Sequence, residues 1–383
     1  MTPEFMKILM VTTTYSPSLN GVAISTYRTV QELRRKKHRV TVIMPHHPQR
    51  KKKHPDDIEL PALPNPIQKD YPIPVPARFS IPQLAKKRFD IVHFHQPVLI
   101  DVLAQSIAKD QNIPLVFTYH TRYEDYAKQY ASFLPKKFLS QIVKAKIQTI
   151  LNRCDGLIAT TQTYQQQLQK TFQKPVFYVS TAGLTKRMKV RVSKQTLRQH
   201  HQIPLDKTVL LNVSRQVPEK NLPLIIKTFA LLPTKYFLVM VGGGISTEPL
   251  KKLSQQLKVN SRVLFTGPLP QENLPDWFSL ADFFIYSSKT DTIGINILEA
   301  LSAGLPVFAV QDPNVAEVIK HGSNGFVLPA KPKAFAKAIQ QFPWRRYASF
   351  SRQATTSAHH FLISETTKQL VEVYKTIIAN KHV

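Results

Sequence analysis

The hydrophobic positions along the chain form short uninterrupted runs that alternate with amphipathic stretches. Before residue 186, such runs lie at 7–12, 39–44, 90–94, 114–119, 155–160 and 175–179. Runs without polar alternation are typical of parallel strands that are covered on both faces. Amphipathic segments fall between most of them, for example at 22–37 and 98–109. This order of strands and helices predicts a doubly wound α/β domain.

A second series of the same kind follows. Its strand-like runs lie at 209–214, 236–242, 262–267, 282–288 and 306–310, with a short edge at 325–327, and its helical segments at 222–232, 248–257, 296–303 and 333–341. At 383 residues the chain is also too long for one ordinary core. We therefore predict an N-terminal α/β domain over 6–185 and a second α/β domain over 186–357.

The two ends of the chain have features of their own. The opening MTPEF resembles an appended tag, and Met6 is the expected native start. The closing helical stretch at 359–380 has no strand after it. We expect residues 358–383 to form a C-terminal helix that crosses back to the N-terminal domain and packs across both domains.

One segment of the N-terminal domain interrupts the alternation. Residues 45–82 hold ten of the chain's 29 prolines and the basic run from Arg50 to Lys53. Because proline fixes φ and lacks an N–H donor, we predict a long surface excursion without regular structure. The basic run suits either a solvated loop or an anion site.

The segment 135–153 is the most amphipathic helix of the sequence. Its apolar stripe consists of Leu139, Val143, Ile147 and Ile150. Four lysines surround the stripe and are candidate membrane contacts: Lys136, Lys137, Lys144 and Lys146. Such a helix could lie on an anionic bilayer, or it could be a crossover helix that packs its stripe on the sheet.

The net charge indicates which kinds of partner surface the protein could bind. There are 52 Lys and Arg against 24 Asp and Glu, which gives +28, and both domains share this excess. Nucleic acid and anionic membrane are the natural counter-surfaces. No Cys/His metal pattern, helix-turn-helix or RNA-binding aromatic signature supports nucleic acid, so we favour a membrane surface. The single Cys154 excludes an internal disulfide and fits a reducing compartment.

Candidate chemistry is concentrated in the stretch from Ser287 to Ala309. Asp291 lies in a polar turn, Gly294 forms a hinge, and Glu299 follows about one turn into a helix. A carboxylate beside the free N–H groups of a helix N-terminus suits a polyhydroxyl group attached to a phosphate.

Other loops at the carboxyl ends of strands add charge and glycine. Arg215 and Lys220 follow the strand that ends at Ser214, where they could neutralise a diphosphate or remain solvated surface charges. Gly243 and Gly267 would let the backbone approach a base or ribose, or merely form turns. Gly21 lies before the first helix, where it could belong to a phosphate-binding loop or simply to a tight turn.

Histidines end two strands of the N-terminal domain. His95 and His120 occupy equivalent strand ends, so they are candidates for the ligand crevice, although a structural role is the alternative. His120 continues into Arg122 and Tyr123, which are candidate acceptor-side groups together with His95.

These motifs resemble the retaining GT-B glycosyltransferases of family 4. SRQVPEKN is similar to the family's R-x4-K loop, and Asp291 to Glu299 is similar to its E-x7-E motif. The resemblance implies two Rossmann-like domains facing across a cleft that binds a nucleotide-sugar donor. It assigns Arg215 and Lys220 to the diphosphate and Glu299 to the ribose. It also assigns the hexose to Asp291 and to backbone N–H groups of Thr292, Ile293, Gly294 and Ile295, with Gly21 under the phosphates and His120 beside the donor sugar.

Within that family, HFHQP and YHTRYEDY before a basic helix look like the enzymes that glucosylate diacylglycerol. The expected reaction moves a hexose, glucose from UDP-glucose, to a lipid hydroxyl with retention and with the leaving diphosphate as base. No cofactor and no metal are expected, and the expected location is cytoplasmic and peripheral on the inner face of the membrane. A soluble or protein acceptor, or a non-catalytic nucleotide-sugar-binding protein, are the alternatives.

The chain departs from the family pattern at three places. Asp291 stands where the family usually has Glu, Asn20-Gly21 replaces Gly-Gly, and the stretch at 180–188 differs. The shorter side chain of Asp291 keeps the charge, and we expect it to affect the choice of sugar.

Overall fold

The computed structural model describes residues 4–51, 54–65, 71–75, 84, 87–97, 100–120, 141, 145, 147–180, 183–185, 190–291 and 294–381. The chain divides into two compact units. The first comprises Met1–Gly183 together with Ile363–Val383, and the second comprises Leu184–Leu362.

The first unit is built on a seven-stranded parallel sheet. Its strands are β1 (Lys7–Val11), β2 (Arg39–Pro45), β3 (Asp57–Leu60), β6 (Ile91–Phe94), β7 (Leu115–Tyr119), β8 (Gly156–Ala159) and β9 (Val176–Tyr178), and a small antiparallel pair consists of β4 (Ala62–Leu63) and β5 (Ile73–Pro74). The order across the sheet is β3-β2-β1-β6-β7-β8-β9. Its helices are α1 (Gly21–Arg35), α2 (Asp101–Asp110), α3 (Gln162–Gln169) and, from the end of the chain, α12 (Ile363–Lys381).

Apolar side chains cover both faces of this sheet. Leu9 and Val11 belong to one buried cluster, whereas Ile8 and Met10 on the same strand belong to another. The strands therefore need no polar alternation, which is why uninterrupted apolar runs predicted them. The doubly wound α/β class is confirmed for this unit.

The proline-rich excursion is where the sequence-based prediction was wrong. Residues 45–82 were expected to contain no regular element, but β3, β4 and β5 lie within them. Pro55 and Pro61 flank β3 without interrupting it, and β3 occupies the sheet edge, where a strand needs pairing on one side only. Its alternation of half-buried and buried residues matches an edge position.

The second unit is built on a six-stranded parallel sheet in the order β12-β11-β10-β13-β14-β15. Its strands are β10 (Thr208–Val213), β11 (Tyr236–Val241), β12 (Val263–Gly267), β13 (Phe283–Tyr286), β14 (Val307–Val310) and β15 (Gly325–Leu328). Its helices are α4 (Lys194–His200), α5 (Pro223–Phe229), α6 (Thr247–Gln256), α7 (Leu274–Leu280), α8 (Ile295–Ser302), α9 (Pro313–Val318), α10 (Pro332–Gln340) and α11 (Tyr347–Ala358).

The last helix returns to the first unit. α12 begins at Ile363, and its residues Leu370, Tyr374 and Ile377 join the apolar cluster that contains Ile8 and Met10. Because one face of α12 is apolar, the helix closes that face of the first sheet. None of the described helices combines the length and hydropathy that a bilayer-spanning segment requires.

Candidate functional site

The carboxyl edge of the second sheet gathers the predicted cations. Ser214 follows β10 and donates its hydroxyl to Asn212 at 2.8 Å. Arg215 is 27% exposed and pairs with the buried carboxylate of Glu219 at 3.3 Å. A 3-10 turn over Pro218–Lys220 then returns the chain to the sheet edge. The guanidinium is thus held at the rim with part of its surface open to a ligand.

Lys220, Asp291 and Tyr286 form a compact ionic group on the same rim. The Lys220 ammonium donates to both Asp291 carboxylate oxygens at 2.7 Å. The Tyr286 hydroxyl donates to Asp291 Oδ2 at 2.6 Å. Burial raises the pKa of Asp291, but Lys220 and the hydrogen bonds outweigh burial and hold the pKa below its usual value. Asp291 is therefore a carboxylate held by two different elements.

The backbone of this cluster is also fixed. Lys220 O accepts the Ser287 hydroxyl at 2.6 Å, which ties the turn to the segment after β13. Asn221 adopts a left-handed conformation with φ of 51° and ends the turn. These contacts set the position of Lys220 and Asp291 relative to each other.

The glycine loops beside the cluster allow close backbone packing. Gly242 has φ of 122°, and a Cβ there would collide with the Ser214 carbonyl. Gln216 N donates to Gly243 O at 2.8 Å, which joins the loops after β10 and β11. Gly267 has φ of 74° and no atom within 4 Å of a Cβ position, so its backbone conformation is what favours glycine there.

Helix α8 begins beside Asp291. Gly294 is its N-cap residue and provides no side-chain cap, and Ile295 is its first residue. The Asn296 amide donates to Val213 O at 2.6 Å, so it anchors the helix start to the end of β10. Glu299 lies one turn further along and is 6% exposed. Thr292 and Ile293, which precede Gly294, lie outside the described residues.

In the first unit, the two predicted histidines are in direct contact. His95 follows β6, His120 follows β7, and His95 Nδ1 lies 2.8 Å from His120 Nε2. His93, two residues before His95, lies 2.6 Å from both the Tyr374 hydroxyl and the Thr118 hydroxyl. Burial lowers the pKa of His93 and of His120 to about 3. The rings are therefore neutral, and one ring of the His95–His120 pair donates to the other.

Gly21 lies at the start of α1, where Asn20 acts as the N-cap. The Asn20 side chain accepts from Ala23 N at 2.8 Å and donates to Thr14 at 2.7 Å. The Asn20 cap thus orders the loop that the sequence singled out. This capping gives Asn20, one of the departures from the family pattern, a structural role.

The acceptor-side and membrane-contact predictions fall mostly on one segment of the first unit. Arg122, Tyr123, Lys136, Lys137, Lys144 and Lys146 all lie outside the described residues. Of the apolar stripe on the predicted basic helix, Ile147 and Ile150 are buried in the core of the first unit. This packing favours the crossover-helix alternative for that end of the segment.

Sequence reasoning missed two residues that contact the predicted site, Tyr286 beside Asp291 and Glu219 beside Arg215. Tyr286 ends an apolar strand, so its hydroxyl was hidden within a hydrophobic run. Glu219 precedes Lys220, and from the sequence it would be taken for a solvated charge, but its side chain is only 2% exposed.

Within the described residues, no three His, Cys, Asp or Glu side chains are grouped so as to hold a metal ion.

Comparison with protein families assigns both units. Residues 19–180 match the model described as Glycosyltransferase Family 4, and residues 193–344 match Glycosyl transferases group 1. The chain belongs to the family 4, group 1 glycosyltransferases, and it is a glycosyltransferase.

Two curated relatives extend over most of the chain. An alpha-monoglucosyldiacylglycerol synthase from Streptococcus pneumoniae is 28% identical over 328 residues, which cover 82% of this chain and 73% of the relative. A protein of the same name from Acholeplasma laidlawii is 25% identical, with 84% of each chain covered.

A solved structure supports the fold assignment. The HepE protein of Anabaena, determined in complex with UDP-glucose, matches with a TM-score of 0.76 at 18% identity, covering 97% of this chain and all of HepE. The predicted GT-B fold is thereby confirmed.

Proposed function

We propose that the protein is a retaining hexosyltransferase that moves glucose from UDP-glucose to a lipid hydroxyl, such as that of 1,2-diacylglycerol, at an anionic membrane surface. The observation that carries the proposal is the grouping of Arg215, Lys220 and Asp291 at one sheet edge. Two cations suit a diphosphate, and a fixed carboxylate suits sugar hydroxyls. The names of the two synthases support the lipid acceptor, and the HepE complex supports UDP-glucose as donor.

The proposed reaction divides the work among these groups. The bond from the anomeric carbon to the phosphate oxygen breaks while the acceptor oxygen bonds on the same face, and the acceptor proton passes to the leaving phosphate. Arg215 and Lys220 stabilise the charge that develops on the diphosphate. Glu299 would bind the ribose, and Ser214, Gly243 and Gly267 would line the nucleotide side. His95 and His120 remain candidates for the acceptor side and the sugar.

A single assay tests the donor, the acceptor and the site. Release of UDP from UDP-glucose is measured with anionic vesicles that contain or lack diacylglycerol, and the anomer of the product is determined by NMR. We expect diacylglycerol-dependent turnover and an α-glucosyl product. UDP-galactose and GDP-mannose serve as competing donors.

Two lysine variants test whether Lys220 contributes to sugar transfer. Lys220→Ala should lower turnover at least ~100-fold, the scale for losing one preorganised charge. Lys227→Ala, an exposed lysine on α5, is the matched control and should keep full turnover. Turnover that needs only a soluble acceptor would favour the alternative glycosyltransferase, and UDP-glucose binding without any transfer would favour the non-catalytic reading.

A further inference from the structure

Tyr286 is a buried phenol that hydrogen-bonds the proposed sugar carboxylate. It ends β13 and is 2% exposed. Its hydroxyl lies 2.6 Å from Asp291 Oδ2, a short contact typical of a hydroxyl that donates to a carboxylate. A phenol hydroxyl buried without a partner would destabilise the fold, so this bond fixes both residues.

Besides a hydrogen bond with Ser288, the Asp291 carboxylate accepts from two donors of different kinds, an ammonium and a phenol. Lys220 donates to both of its oxygens, so Oδ2 accepts from Lys220 and from Tyr286 together. Burial and the Asp291 charge raise the pKa of Tyr286 well above its usual value, so the phenol remains a neutral donor. Lys220 carries its charge at the end of a four-carbon stem, whereas the Tyr286 ring is held by the strand.

The backbone next to Asp291 leaves room for the phenol. A Cβ on Gly294 would lie 3.1 Å from both Cε2 and the hydroxyl of Tyr286, and 2.5 Å from Asn296 Oδ1. The start of α8 can therefore pack this closely against the phenol only because residue 294 has no side chain. Tyr286, Gly294 and Asp291 thus form one packed arrangement.

We propose that Tyr286 is a positioning residue of the donor-sugar site, which holds the Asp291 carboxylate in place while Lys220 engages the donor diphosphate. The inference rests on the proposed function. Both a carboxylate and a diphosphate attract the single charge of Lys220, so a ligand would weaken the Lys220–Asp291 pair. The Tyr286 hydrogen bond is independent of that charge and keeps the aspartate oriented toward the sugar hydroxyls.

The test is Tyr286→Phe, which removes one hydroxyl and keeps the ring. With UDP-glucose as donor, we expect kcat to fall about 10- to 100-fold, as for losing a hydrogen bond to a charged group. The Kd of UDP alone, measured by calorimetry, should stay within about twofold, because UDP lacks the sugar that Asp291 would bind. A merely structural role would weaken UDP binding and lower Tm together with kcat.

The pH profile gives a second readout. Loss of the phenol hydrogen bond should raise the pKa of Asp291, so the acid limb of kcat/KM should move to higher pH. The charged and titratable groups facing Asp291 are Lys220 and Tyr286, and Asp312 acts on the Tyr286 phenol. Lys220 and Asp312 are unchanged in the variant, so the shift reports the lost hydroxyl.

Matched variants separate the possible outcomes. Tyr236→Phe removes another buried hydroxyl in the same unit, one that bonds Ile339 O at 3.4 Å, and should leave kcat unchanged. In an Asp291→Ala background, Tyr286→Phe should have no further effect, because the two residues would act as one unit. Wild-type kcat in Tyr286→Phe, or additive losses in the double variant, would overturn the proposal. A wild-type protein that transfers no sugar would instead overturn the proposed function.

Discussion

Three histidines near the ends of β6 and β7 are held in the first unit as neutral rings. His93 and His95 are 1% and 3% exposed, and burial lowers the pKa of both. His120 shares a hydrogen bond with His95, so the protonation state of either ring affects the other. Protonating any of them would place a charge in an apolar interior beside other imidazoles.

This burial predicts a loss of stability in mild acid. The pKa of His93 is about 3 in the folded protein but near its ordinary value of 6.5 when unfolded. Its contribution is therefore complete above about pH 6.5 and is lost as the pH falls toward the folded value, at up to about 1.4 kcal/mol per pH unit. Hydrogen exchange of β6 and β7 peptides, corrected for intrinsic rates, should show falling protection between pH 7 and pH 5.

A glutamine substitution checks the assignment. His93→Gln cannot be protonated, so the slope of unfolding free energy against pH should decrease by about one proton. His321→Gln changes an exposed histidine of the second unit and serves as the control. An unchanged slope in His93→Gln would contradict the prediction. Both tryptophans lie in the second unit, so tryptophan fluorescence reports the unfolding of that unit separately from the first unit.

At the residue scale, the charged residues of the site were easier to predict from the sequence than the tyrosine that contacts them. Arg215, Lys220 and Asp291 stand out in the sequence because charged residues follow buried strands there. The Lys220–Asp291 pair was not predicted, since it depends on a 3-10 turn that spacing does not reveal. Tyr286 was missed because a tyrosine in an apolar run packs like a phenylalanine until a partner is seen.

Helix α12 packs closely on the first sheet because β8 begins with a glycine. A Cβ on Gly156 would lie 2.5 Å from Cδ1 and 3.1 Å from Cγ1 of Ile377. Ile377 is 3% exposed and has little room to retreat. Ile377 therefore occupies the space that a side chain at residue 156 would need.

Gly156→Ala should therefore destabilise the first unit by about 1–3 kcal/mol, as overpacking does in a filled core. In an Ile377→Val background, the same substitution should cost less, because a methyl group is removed where the new Cβ must fit. Asn380→Ala, at an exposed position of α12, is the control. Chemical denaturation followed by far-UV circular dichroism measures all three, and equal costs in both backgrounds would contradict the packing argument.

Elements were predicted well where burial alone determines them. The runs at 7–12 and 236–242 became β1 and β11, since a strand covered on both faces needs only apolar residues. The edge strand β3 was missed because prolines dominate its surroundings, and no rule from local sequence says which short segment will pair. The C-terminal helix was predicted from 358 onward, but it begins at Ile363 after a 3-10 turn over His359–Phe361.

For the molecule as a whole, the unusual property is a net charge of +28 over 383 residues. Ile147 and Ile150 are buried in the core, so the apolar stripe of the predicted basic helix is not fully available to a bilayer. Membrane association would then depend mainly on electrostatic attraction. Each Lys or Arg near an anionic surface contributes about 1 kcal/mol, and salt screens this attraction.

We therefore predict that the protein sediments with vesicles containing anionic lipid, and not with purely zwitterionic vesicles. Binding should be lost at about 0.5 M salt, where the Debye length falls to about 4 Å. Two double variants with the same change in net charge locate the contact. Lys136→Glu with Lys137→Glu should weaken binding far more than Lys251→Glu with Lys252→Glu, two exposed lysines on α6. Equal losses would mean that overall charge drives binding, and equal binding to both vesicle types would refute the electrostatic argument.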